Sequence, residues 1–145
     1  MQKLTKVLLV DDDSTTNFLN VTLLSRVEVA EQLLVAQNGE EALQTLEQVC
    51  NESPDSTGPM LMLLDVNMPV MNGIEFLEAY YQHPLAQKCQ LVIVMLTTSE
   101  HSRDLERIKA VPLAADILSK PLTREKVETI LHRHFHGLNQ TGFWG

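Results

Sequence analysis

Positive charge is scarce in this chain of 145 residues: 11 lysines and arginines stand against 19 aspartates and glutamates, leaving a net charge of −8. Non-specific nucleic-acid binding relies on basic side chains that neutralise phosphates, so the balance argues against direct nucleic-acid partners. Long apolar runs are missing as well. The opening MQKLTKVLLVDDD holds one short apolar run before three aspartates, so no secretory h-region is expected. No later stretch approaches the roughly 18 apolar residues of a membrane span. The expected location is the cytoplasm, with no membrane partner. Cysteine is nearly absent. Cys50 and Cys89 stand far apart and form no metal-type spacing, so reduced, buried or half-buried thiols are expected.

What is present is an ordinary globular composition, 44% hydrophobic and 21% charged, on a length that suits one domain with a proper core. Short apolar runs alternate with helical patterns. KVLLV (6–10), QLLVAQ (32–37), MLMLL (60–64), LVIVML (91–96) and ADILS (115–119) read as strands. The fourth is apolar on both faces, as a central parallel strand should be. Helical patterns cover 14–27, EEALQTLEQV after Asn38-Gly39, 73–82, 100–111 and 123–135. In the first of these, Phe18, Val21, Leu24 and, less regularly, Leu23 recur at helical spacing. Glu40 and Glu41 suit the dipole at the start of the second, and Thr123 can cap the last. Segment 51–59 is a Pro/Gly/Ser loop, and the tail 137–145 is expected to be mobile. The alternation implies one α/β domain, a parallel sheet with helices on both faces.

In open α/β sheets, ligands sit outside the carboxyl ends of the strands. The first run is followed by Asp11, Asp12 and Asp13, the second by Gln37 and Asn38, and the third by Asp65 and Asn67. Thr97, Thr98 and Ser99 follow the fourth, and Lys120 the fifth. Each has a bland reading alone. Asp13 or Ser14 can be a helix N-cap, Thr97 a turn residue, Lys120 a solvated lysine. Gathered at one edge, however, carboxylates repel unless a cation sits among them. Mg²⁺ meets that need, being a hard ion bound by one or two carboxylates, waters and substrate phosphate. Asp65 could then act as a nucleophile on a phosphoryl group, giving an aspartyl phosphate. Mg²⁺ and the Lys120 ammonium would neutralise the transferred oxygens, and the Thr97 hydroxyl would hydrogen-bond one of them.

These residues resemble the receiver domain of two-component response regulators, from about residue 4 to 136. VLLVDDD is similar to the family's first strand and acidic pair, Asp11 and Asp12. LLDVNMPVMNG looks like its phosphorylation-site motif, with Asp65 as phosphoacceptor and Asn67 offering its backbone carbonyl to Mg²⁺. VMLTT places Thr97 at the switch hydroxyl, and LSKPL places Lys120 at the family's lysine. The resemblance implies a flavodoxin-like, doubly wound sheet of five parallel strands in the order 2-1-3-4-5, with five helices and a cis Lys120–Pro121 bond. It implies a receiver domain over 1–136, followed by the tail. It also implies a signalling switch that catalyses its own aspartyl phosphorylation and dephosphorylation, not a turnover enzyme. The donor would be a sensor histidine kinase or a histidine phosphotransfer protein. A downstream protein, or a second copy in a homodimer, would bind the face of the fourth helix, fifth strand and fifth helix. The mixed charges Arg103, Asp104, Glu106, Arg107 and Lys109 fall on that fourth helix.

Three features depart from the family's pattern. Ile117 stands where many receivers carry Tyr or Phe, the 51–59 loop is longer than usual, and a lone receiver with no output domain is expected. A phosphate-independent pseudo-receiver module is the alternative, although such proteins usually lose the aspartate or lysine kept here. A haloacid-type hydrolase would want a second aspartate where Asn67 stands. His132 and His136 share a helix face and could hold a metal, but histidines favoured by the helix C-terminal dipole are the simpler account. Phe143-Trp144 could dock a partner, but a disordered end is the simpler account there.

Overall fold

A computed structural model of the chain describes residues 4–52, 60–66, 68, 73–84, 91–98 and 114–135. Its strands are β1 (Leu4–Val10), β2 (Ala30–Ala36), β3 (Met60–Asp65), β4 (Leu91–Thr97) and β5 (Ala114–Ser119). They form one five-stranded sheet in the order β2-β1-β3-β4-β5, and every neighbouring pair is parallel. The helices among the described residues are α1 (Ser14–Arg26), α2 (Gly39–Glu52), α3 (Gly73–Gln82) and α4 (Arg124–His134). The helix expected over 100–111 and the tail 137–145 lie outside the described residues. The fold class is the one the resemblance implies, a flavodoxin-like doubly wound sheet.

Strand position explains strand composition. β3 is central, and all six of its residues are buried, which is why its sequence is an unbroken apolar run. Successive side chains point to opposite faces. Leu8, Val10, Met62 and Leu64 pack with Phe76, Leu77 and Tyr80 on one side. Val7, Leu9, Leu61 and Leu63, the alternate residues of the same two strands, pack against Leu24, Ile130 and Leu131 on the other. β2 lies at the sheet edge and is much more exposed. It begins and ends earlier than the sequence suggests, leaving Gln37 outside it.

Two expectations need correction. Phe18 does not belong to the apolar stripe of α1: it is 69% exposed, and α1 buries Asn17, Asn20 and Leu24 instead. That spacing puts the three on one helix face, with Phe18 turned away from it. Cys50 is not a reduced thiol. It is half-buried on α2 and disulfide-bonded, while the chain's other cysteine, Cys89, lies outside the described residues.

Because all strands run the same way, their carboxyl ends share one edge. Val10 is in register with Leu64, Asp65 with Leu96, and Thr97 with Ser119. The residues that follow Val10 and Ser119 therefore meet Asp65 from either side. The Lys120–Pro121 peptide bond is cis, as the resemblance implies.

Candidate functional site

Asp11 leaves the sheet while still attached to it: its N–H donates to the Ala36 carbonyl at 3.1 Å. One carboxylate oxygen accepts from the Asp13 N–H at 2.9 Å, and the other faces the Lys120 Nζ at 2.8 Å. Asp13 then starts α1 as its N-cap, accepting from the Thr15 N–H at 3.1 Å and from the Thr16 hydroxyl at 2.7 Å. Of the two candidate caps, Asp13 is the one used. Asp12, held between these neighbours, is exposed.

Asp65 ends β3 with a buried side chain, and its Oδ1 lies 3.0 Å from Lys120 Nζ. The Val66 N–H donates to the Leu96 carbonyl at 3.1 Å, and the Gly73 N–H to the Val66 carbonyl at 2.9 Å. The chain beyond Asp65 is thereby pinned to both β4 and the start of α3. Space there is tight: a Cβ on Gly73 would stand 2.5 Å from the Asp65 carbonyl oxygen. Only glycine admits this close approach.

Lys120 reaches the two acids from β5. Its N–H donates to the Thr97 carbonyl at 2.9 Å, which ties the lysine's backbone to the end of β4, where Thr97 is buried. The turn is braced from α4: Lys126 Nζ donates to the Ser119 carbonyl at 2.7 Å and to the Pro121 carbonyl at 2.9 Å. Burial acts to lower the Lys120 pKa, but hydrogen bonds and charge from Asp11 and Asp65 outweigh it, so the net direction is upward. The ammonium stays charged between its acids.

Carboxylate oxygens of Asp11, Asp12 and Asp65 come within 4.8 Å of one another. Three carboxylates against one ammonium leave an excess of negative charge, two of the three acids being buried. An all-oxygen donor set of that charge fits a hard divalent cation and offers nothing to a thiophilic one. Asp11, Asp12, Asp65, Thr97 and Lys120 are thus brought to one edge. Asn67 and Ser99 lie outside the described residues, and Thr98 is exposed. Asn17 and Gly73 are not visible as site residues in the sequence. A glycine opening the helix after the acidic strand is the available signal for the second.

The last helix ends in a separate cluster. Asp116 on β5 accepts from Arg133 Nη1 at 3.0 Å and lies 3.1 Å from His134 Nε2. His134 therefore has a carboxylate partner as well as a helix terminus. His136, needed for a histidine pair with His132, lies outside the described residues.

A parallel sheet in this order, with carboxylates and a lysine gathered at its carboxyl edge, defines a receiver-type signalling domain. The chain matches the response regulator receiver domain over residues 7–132 and belongs to that family. It is 32% identical to the probable chemotaxis protein CheY of Rhizobium etli over 92% of this chain and 94% of that protein. It is 39% identical to the transcriptional regulatory protein CpxR of Escherichia coli K12 over 86% of this chain, but spans only 47% of that protein. Among solved structures, a two-component response regulator from Cytophaga hutchinsonii superposes with a TM-score of 0.81 at 27% identity, covering 93% of this chain and 99% of the other. The protein is a two-component signal-transduction receiver. Among the described residues, no helix is long and apolar enough to cross a membrane.

Proposed function

We propose that a sensor histidine kinase or histidine phosphotransfer protein transfers a phosphoryl group to Asp65, and that the aspartyl phosphate switches a partner-binding surface. The observation that carries this reading is the Lys120 ammonium seated between Asp11, at 2.8 Å, and Asp65, at 3.0 Å. An Asp65 carboxylate oxygen attacks phosphorus, and the P–N bond of the phosphohistidine breaks. Its electron pair returns to the imidazole, and the product is an acyl phosphate. Asp11, Asp12, Asp65 and the main-chain carbonyl of Asn67 are the groups that would hold Mg²⁺, which when bound supplies charge neutralisation at the phosphoryl oxygens. Lys120 offers N–H groups to one transferred oxygen, and the Thr97 hydroxyl donates to another.

Asp65 is both nucleophile and resting place of the product, so the protein works as a switch and not as a turnover enzyme. The phosphate biases only states that it contacts differently. Ile117, half-buried against the core, carries no ring to swing inward, so coupling runs through Thr97 and its loop. The output face includes β5 and α4, where a downstream protein or a second copy binds. The receiver domain occupies 1–136, acts in the cytoplasm, and contacts neither nucleic acid nor membrane directly.

The test is intact mass after incubation with acetyl phosphate and Mg²⁺, on wild type and Asp65→Asn, with an EDTA control. The reading requires one phosphate adduct that needs both Asp65 and Mg²⁺. No adduct, together with no beryllofluoride binding, would sink it in favour of a phosphate-independent module.

A further inference from the structure

The buried face of α1 carries an oddity. A helix with Phe18 and Leu19 exposed places Asn17 in the interior, 4% exposed. An amide is costly to bury unless hydrogen-bonded, and Asn17 is only half satisfied. Its Nδ2 donates to the Asp11 main-chain carbonyl at 2.8 Å, while its Oδ1 is, among the described residues, the buried side-chain polar atom without a partner. An apolar side chain at this position would strand no oxygen of its own. The reason for an asparagine must lie in the bond it does make.

That bond completes the fixing of Asp11. The Asp11 N–H is held by Ala36, its carboxylate by Asp13 and Lys120, and its carbonyl by Asn17. The carbonyl has left the strand ladder, so the Asn17 amide stands in for the missing partner strand. Holding this oxygen fixes the plane of the peptide joining Asp11 to Asp12, because the six peptide atoms are coplanar. On the far side, the Asp13 N–H is fastened to Asp11 and its side chain caps α1. Asp12 is thus clamped at both flanking peptides while its carboxylate stays exposed beside Asp11 and Asp65.

We infer that Asn17 is a positioning residue: by gripping the Asp11 carbonyl it sets the direction of the Asp12 carboxylate and so pre-forms the divalent-cation site. The inference rests on the proposal that Asp11, Asp12 and Asp65 hold a cation. Groups that orient ligands without touching the metal commonly change metal affinity by about 10–100-fold when removed.

The test is direct cation binding by the phosphate-free protein, with Mn²⁺ titrated by electron paramagnetic resonance and Mg²⁺ as competitor. Asn17→Leu removes the donor and the stranded oxygen together, Asn17→Asp removes the donor at nearly constant shape, and Leu24→Val perturbs the same helix face away from the site. Both Asn17 variants should bind Mn²⁺ about tenfold more weakly, with the acetyl phosphate reaction recovering towards wild type at saturating Mg²⁺. Leu24→Val should lower the melting temperature and leave Mn²⁺ affinity alone. Wild-type affinity in folded Asn17→Leu and Asn17→Asp would overturn this inference and leave the cation site standing. A wild type that binds no Mn²⁺, or binds it equally well as Asp12→Asn, would overturn the cation site and the inference with it. If Leu24→Val weakened binding as much as Asn17→Leu, α1 packing in general would be responsible, and the specific role would be lost.

Discussion

Gly73→Ala is a one-carbon change whose effect follows from the packing around Asp65. The added Cβ would meet the Asp65 carbonyl oxygen at 2.5 Å, Met95 Cε at 2.9 Å and Val66 Cα at 3.0 Å. Met95 Cε is the end of a flexible side chain and can yield. The other two are main-chain atoms at and just past the end of β3, so relief requires the start of α3 and the end of β3 to part by about 1 Å, the scale of misplacement that matters for reacting groups. Overpacking of this kind costs about 1–3 kcal/mol. Replacing glycine by alanine in a helix returns about 0.5–1 kcal/mol. The net expectation is a loss of up to about 2.5 kcal/mol, about 1 kcal/mol at the centre of both ranges, read as a lower urea midpoint at unchanged slope. The larger effect falls on chemistry, because a misplacement of about 1 Å can lower a rate by about 100-fold. Acetyl phosphate labelling at saturating Mg²⁺ would measure it. Unchanged or higher stability, with labelling at the wild-type rate, would refute the close-approach argument.

Three further outcomes are expected. Lys120→Met removes the ammonium shared by Asp11 and Asp65; chemical unfolding at neutral pH should show a loss of about 2–3 kcal/mol, discounted from the fully buried case because the lysine is partly exposed, and acetyl phosphate labelling should fall to background. Asp12→Asn relieves crowding among three carboxylates, so thermal unfolding without metal should move up slightly, while the rise in melting temperature on adding Mg²⁺ disappears. For Asp116, burial alone would raise the pKa, but hydrogen bonds from His134, Arg133 and the Ile117 N–H lower it below the ordinary 3.8. A depressed folded pKa gives stability that is present above the unfolded value and lost as pH falls through the folded one. Asp116→Asn should therefore be less stable than wild type at about pH 6, by about 1 kcal/mol or less given the exposed Arg133. In urea titrations at decreasing pH the gap should close below the ordinary value, and a gap that stayed constant down to about pH 2 would contradict this.

Much of the site is legible in the sequence because a parallel sheet turns a linear pattern into a spatial one. Every strand's carboxyl end falls on one edge, so reading the polar residue after each apolar run is enough to bring Asp11, Asp12, Asp65, Thr97 and Lys120 together. β3 is readable for the same reason, since a central strand has no polar face to confuse the pattern. The first helix is less readable. Phe18, Leu19, Val21, Leu23 and Leu24 surround it on several sides, so no single apolar stripe dominates, and spacing alone puts Phe18 on the wrong face. Burial of Asn17 depends on where the Asp11 carbonyl points once the strand has ended, which local periodicity does not encode. Gly73 escapes notice because its constraint comes from a strand it meets only after folding. The state of Cys50 is hidden because a cysteine's partner is set by three-dimensional proximity, which two distant cysteines with no motif spacing do not reveal.

The central claim is that Asp65 itself receives the phosphoryl group. Its most direct test is to phosphorylate the protein with acetyl phosphate and Mg²⁺, reduce it with borohydride, and locate the product by peptide mass spectrometry. Reduction converts an aspartyl phosphate to homoserine and leaves free carboxylates untouched. The account predicts homoserine at position 65, absent when EDTA is included. Homoserine at position 11 or 12, or none at 65 in protein whose intact mass shows the adduct, would contradict it.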